Sequence, residues 1–179
     1  MKNISYKVAL GGIVSALCLL CMFLAGIIPI IYILMPMAAG VLLMIIATEV
    51  SVSWAWLTYA SVSLLSLFVT ADKEAALVFI MVFGHYPILR FHMRNMKLKR
   101  LRYLLKMAIF NVCVVGFFYV TVFLFGLDQM LTEMNEYGKY GGILMLALAN
   151  VMFVLYDFNL EAAYVIYRSR FMPRLRRDR

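Results

Sequence analysis

Five polar side chains interrupt stretches that are otherwise apolar: His85, Arg90, Asn111, Asp157 and Glu161. Ionisable groups inside such stretches are costly to bury in a membrane and are almost always paired. Asp157 and Glu161 are four residues apart, so a helix would carry them on one face. Counted from the nearest basic cluster, all lie at similar depth. His85 precedes Arg90 by five residues, Asn111 follows Lys106 by five, and Glu161 and Asp157 precede Arg168 by seven and eleven. This spacing predicts a network in which Asp157 meets His85 or Asn111, and Glu161 meets Arg90 or a lysine of the basic stretch. Glu49 and Tyr86 are within reach of the same layer. Such a set has two uses. An imidazole titrates near neutral pH and could relay protons, or the pairs could lock three helices together. The lock asks less of the residues and is the expected role.

Other chemistry is sparse. There is no H-E-x-x-H, no G-x-S-x-G and no P-loop. Two histidines in the whole chain argue against a histidine-based metal site. No catalytic residue, metal or cofactor is expected, and the chain does not read as an enzyme. Cys18 and Cys21 have the spacing of a redox or metal pair, but no second pair or histidine cluster accompanies them. Together with Cys113 they read as small packing residues.

The elements that must position these groups follow from composition. The chain has 179 residues, 65% hydrophobic and 15% charged, far above the roughly 45–50% apolar usage of soluble domains. A membrane-spanning helix takes about 20 apolar residues. The apolar runs predict an all-α fold: one integral membrane domain over 1–179, a bundle of six transmembrane helices at about 8–25, 36–50, 54–69, 74–90, 104–125 and 143–167. The first run follows Lys2 and Lys7 and is too long for a signal-peptide core, so it is expected to be a retained helix.

Charge sets the expected orientation. The stretch from Arg90 to Lys106, RFHMRNMKLKRLRYLLK, holds seven of the seventeen Lys and Arg residues, and the tail 168–179 holds six more. With six spans, a connector at 90–106 and the tail share one side with Lys2 and Lys7. Asp72, Glu74, Asp128, Glu133 and Glu136 fall on the other side, where Lys73 and Lys139 are the only bases. The positive-inside rule then puts both termini in the cytoplasm, as in a multi-pass protein of a bacterial plasma membrane. The formal charge of +8 suits anionic lipid head groups beside the bilayer rather than nucleic acid.

Four local features qualify this outline. Gly26 to Met35 is apolar but contains Pro29 and precedes Pro36. It predicts an interfacial segment anchored by Tyr32, a candidate lid. Thr70 to Glu74 predicts a turn whose Thr70 or Asp72 caps the fourth helix. Pro87 predicts a kink about one turn from the inner surface. Ala9, Gly12 and Ala16, with Gly11 and Ser15, give the first helix small residues at intervals that allow close helix approach.

This pattern resembles the substrate-binding S components of energy-coupling-factor (ECF) transporters, which are six-helix proteins of this size with both termini inside. The likeness rests on the small-residue helix Lys7-Val8-Ala9-Leu10-Gly11-Gly12-Ile13-Val14-Ser15-Ala16 and on the proline-containing segment from Gly26 to Pro36. It implies capture of a small, vitamin-like nutrient from outside, passed on with a transmembrane coupling subunit and ATPase subunits. Ala9, Gly12 and Ala16 would form the docking face. Tyr32, Asp72, Glu74, Tyr140 and Asn150 would be the ligand contacts. The alternative is a non-transporting scaffold or assembly protein that recruits a cytoplasmic partner or anionic lipid through its basic connector and tail. A capture subunit needs an outward pocket between the first, third and sixth helices, under the segment from Gly26 to Met35, whereas a scaffold needs none.

Overall fold

The computed structural model describes residues 4–94, 96, 98–124, 126 and 140–171. Among them the chain is all helical, with no strand. Helix α1 is Ile4–Ile27, α2 is Leu34–Glu49 and α3 is Val52–Val69. Helix α4 is composite: Lys73–Val78, a π-helical turn Phe79–Phe83, and Tyr86–Met93. Helix α5 is Lys99–Tyr119, continued by a π turn Val120–Leu124, and α6 is Gly141–Ile166, continued by Tyr167–Phe171. Five of these are long and apolar enough to cross a membrane, and α2 is a shorter apolar sixth. Large apolar side chains such as Ile13, Leu57, Leu64, Phe68, Val112, Leu148 and Phe158 point outward, compatible with a multi-pass membrane protein. The loop residues Asp128, Glu133, Glu136 and Lys139 lie outside the described residues, as do Lys2 and the tail beyond 171.

Helices α2 and α4 form the centre. In α4, 61% of the most apolar window is buried, against 17–28% in α1, α3, α5 and α6. Helix α2 touches α1, α3, α4 and α6. One core, around Cys18, Leu43, Ile46, Val62 and Phe79, joins α1 to α4, and a second, around Phe83, Phe110, Phe153 and Tyr156, joins α4 to α5 and α6. Cys18 is wholly buried and reaches the Ala39 carbonyl at 3.4 Å. Ser61 and Ser66 bond back to carbonyls of their own helix, as polar side chains in apolar helices usually do.

Two boundaries differ from the sequence reading. The Gly26–Met35 segment is not an extended lid. Helix α1 runs on to Ile27 and α2 opens at Leu34, with one 3₁₀ turn, Pro29–Ile31, between them. Pro36 falls in the first turn of α2, where its missing N–H costs nothing. Gly26 lets the link sit against the α3–α4 turn: a Cβ there would lie 2.9 Å from the Ala71 nitrogen. Nor is Arg90–Lys106 a single polar connector. Helix α4 continues to Met93 and α5 begins at Lys99, because Lys and Arg are good helix formers whose apolar stems pack along helices.

The interruption of α4 has an identifiable cause. Gly84 N–H bonds the Phe79 carbonyl at 2.7 Å, five residues back, which is the π turn. That leaves the Ile80 carbonyl to accept from the Tyr59 hydroxyl at 2.6 Å. Pro87 has no N–H for the Phe83 carbonyl, which accepts instead from the Tyr156 hydroxyl at 3.3 Å. The helix therefore restarts at Tyr86 with Pro87 in its first turn. Tyrosines of α3 and α6 thus replace the helix's own bonds, as freed carbonyls in an apolar bundle require. Tyr156→Phe should lower stability by about 1–3 kcal/mol, the cost of an orphaned buried acceptor; a thermal melt in detergent checks this.

Candidate functional site

Two sites emerge at opposite ends of the bundle. The ends are identified by their turns. The α1–α2 link and the α3–α4 turn meet at Gly26, whereas Glu49 meets Tyr167, at 2.9 Å, at the basic end.

At the basic end, Asp157 of α6 gathers donors from two helices. Its Oδ1 accepts from the Tyr86 hydroxyl at 2.5 Å, from Arg90 Nε at 2.6 Å and from Lys106 Nζ at 2.8 Å, and its Oδ2 accepts from Lys106 at 2.9 Å. One turn along α6, Glu161 accepts from Arg90 Nη2. Tyr86 and Arg90 are four apart on α4, as Asp157 and Glu161 are on α6, so two helical ladders face each other. The Asp157 side chain is 19% exposed and that of Lys106 is 8% exposed, while Glu161 is 57% exposed. Asp157 is therefore the centre of the cluster and Glu161 its rim.

Glu161 meets Arg90 as the sequence predicts, but the partners expected for Asp157 are found elsewhere. His85 does not join Asp157. Its ring packs against Tyr59, and Nε2 lies 3.5 Å from Cys113 Sγ. Asn111 pairs instead with Asn150: each amide donates to the other's oxygen, at 2.9 and 3.0 Å, and each also donates to a carbonyl of its own helix at 2.8 Å. This reciprocal pair ties α5 to α6 and occupies both amides. Lys106 was placed in the connector by its charge, yet it is a core member. The clue in the sequence is its apolar flanks, Leu104, Leu105, Met107 and Ala108, which mark a helix rather than a solvated loop. Both oxygens of Asp157 are filled by donors, and the cluster ties α6 to α4 and α5.

At the other end is a cavity of about 610 Å³ between α4, α5 and α6, with Tyr32 and Ile33 of the link at its edge. Val114, Phe118, Met145 and Ala149 line its apolar body, and Tyr32, Glu74 and Tyr119 supply its polar groups. Of the five expected ligand contacts, Tyr32 and Glu74 lie on this cavity. Asp72 does not: its carboxylate caps α4, accepting from Glu74 N at 2.9 Å and Ala75 N at 3.4 Å. Lys73 caps α3 in turn, donating to the Leu67 and Thr70 carbonyls. Tyr140 is 67% exposed at the start of α6, off the cavity wall, and Asn150 is held by Asn111. The cavity lies between α4, α5 and α6 rather than under a lid beside α1 and α3.

On α1, Ala9, Gly12 and Ala16 are all exposed on one face, and a Cβ on Gly12 would meet nothing within 4 Å. The opposite face, with Val14, Cys18, Met22 and Ala25, packs inward. Gly11 turns toward Thr58 of α3. No group of three or more His, Cys, Asp or Glu suited to a metal occurs among the described residues. The chain matches no family model, and neither a curated protein nor a solved structure matches it.

Proposed function

We propose that the chain is a substrate-capture subunit in a bacterial cell membrane, with six spans and both termini in the cytoplasm, of the kind that ECF transporters use as S components. It takes a small, vitamin-sized molecule into the cavity at the acidic end and works with a transmembrane coupling subunit and ATPase subunits. One observation carries this reading: a cavity of about 610 Å³ at the end away from the basic clusters. That volume falls in the roughly 300–1,000 Å³ range of small-molecule sites. Its walls suit a ligand with an apolar body, and Tyr32 and Glu74 suit a hydroxyl, amide or cationic group at one end. The exposed face of Ala9, Gly12 and Ala16 supports docking, since small residues let a partner helix approach closely. The buried charge lock would keep α4, α5 and α6 together as the subunit reorients.

The test is mass spectrometry of small molecules and proteins that co-purify from the native host in mild detergent. Wild type should retain one compound in stoichiometric amount, and Ala149→Trp, which fills the cavity, should lose it. A wild-type preparation with no such compound, holding a cytoplasmic protein in a salt-sensitive way, would instead favour the scaffold.

Docking makes a separate prediction. Gly12→Leu combined with Ala16→Leu should change stability by no more than about 0.5 kcal/mol, as expected of surface positions, yet abolish recovery of the coupling subunit. Unchanged recovery and uptake would rule out this face.

A further inference from the structure

We propose that a cationic cleft at the basic end binds a phosphate-bearing anion, the head group of an anionic lipid. The proposal is independent of ligand capture at the other end. The cleft has a volume of about 330 Å³ and lies between α4, α5 and α6. Arg90, Lys99, Arg102 and Lys106 line it, facing Asp157 and Glu161. A smaller cavity of about 110 Å³ adjoins it, sharing Arg90, Arg102, Lys106 and Glu161 and adding Arg94.

The charges do not balance. Five cations surround these spaces and two carboxylates answer them. Both carboxylates are already engaged, by Arg90 and Lys106. Arg94, Lys99 and Arg102 have no carboxylate partner among the described residues. Two of the three are nonetheless held in place. The Arg94 guanidinium lies over the Tyr164 ring, 4.6 Å from its centroid, and Arg102 Nη1 reaches the Arg94 carbonyl at 3.4 Å. Like charges gathered beside a low-dielectric slab repel one another strongly. An anion entering the cleft relieves that repulsion and meets donors already positioned, and phosphate matches the fork of an arginine.

The cleft's remaining wall points to the source of the phosphate. Val154 and Phe158, one turn apart on α6, line it and are 41% and 74% exposed. Tyr103 stands beside them, 48% exposed. A soluble phosphate gains nothing from this apolar strip. A phospholipid would set its head group among Lys99, Arg102 and Lys106 and run its chain along Val154 and Phe158. Basic pockets between helices at the cytoplasmic surface hold anionic head groups in this way.

The test uses the full chain in detergent, with thermal melting as the readout and three additives: phosphatidylglycerol, phosphatidylcholine and inorganic phosphate. Phosphatidylglycerol should raise the melting temperature and phosphatidylcholine should not. Lys99→Gln with Arg102→Gln should weaken the apparent phosphatidylglycerol affinity roughly 30-fold, the effect of two cations at a membrane surface. Arg100→Gln with Arg168→Gln removes equal charge outside the cleft and should leave the response intact. Lys99 is exposed and Arg102 half-buried, so the cleft variant should fold. Stabilisation by inorganic phosphate equal to that by the lipid would keep the phosphate site but make free phosphate its source. An unshifted melt with both phosphate carriers, an equal response to phosphatidylcholine, or an undiminished response in the cleft variant overturns the proposal.

Discussion

Asp157→Ala is expected to destabilise the protein by about 3–5 kcal/mol, the usual cost of leaving a buried ionic partner uncompensated. Three donors converge on this carboxylate, and two of them carry charge. Arg90 keeps Glu161 in the variant, but Lys106, whose side chain is 8% exposed, keeps nothing comparable. The loss should appear as a lower melting temperature and a smaller monodisperse fraction in detergent. Glu161→Ala should cost about 1 kcal/mol or less, because a pair with one exposed partner is worth little. The rescue is more specific. Lys106→Met combined with Asp157→Asn removes one charge of each sign and leaves Tyr86 and Arg90 an acceptor, so it should recover most of the stability lost by Asp157→Ala. Equal losses at Asp157 and Glu161, or a double variant no better than Asp157→Ala, would mean that the cluster is not the lock.

The helical class and the apolar spans were legible because runs of Leu, Ile, Val, Phe and Met at this density have few other homes. The ends of the spans were not. Charge density between Arg90 and Lys106 read as a loop, but a helix tolerates such residues when their heads find carboxylates or water. That misplaced boundary also displaced the depth scale. Helix α5 begins at Lys99, so Asn111 lies about three turns inside it, level with Asn150 rather than with Asp157. The pairing of the two amides follows from that shift. His85 was drawn toward Asp157 by depth alone. The π turn at Phe79–Phe83 rotates the following residues and presents Tyr86 and Arg90 to α6 instead. Periodicity counted at a constant 3.6 residues per turn has no access to that rotation. Of the five expected ligand contacts two reach the cavity, Tyr32 and Glu74, whereas Asp72 satisfies the backbone of its own helix.

Gly40→Val should be the most damaging single change in the core. Helix α2 passes so close to α4 and α6 at this glycine that a Cβ would sit 2.6 Å from the Phe83 carbonyl oxygen and overlap the Tyr156 hydroxyl. Neither neighbour can yield cheaply. The carbonyl belongs to the turn that Pro87 leaves without its helical donor, and the hydroxyl is the group that satisfies it. To admit a side chain, α2 must back away from α4, which opens both cores along the helix they share and separates Tyr156 from Phe83. Overpacking alone costs about 1–3 kcal/mol, and the orphaned carbonyl adds about 1–3 more, so the variant should fail to yield a monodisperse species. Gly12→Val is the matched control: the same residue change on an exposed face with nothing within 4 Å should melt close to wild type. Small residues in these helices then divide by what lies opposite them. Gly40 is small because Phe83 and Tyr156 already fill the space, whereas Gly12 faces open space. A stable, monodisperse Gly40→Val protein would show that α2 and α4 do not approach as closely as the contact at Phe83 requires.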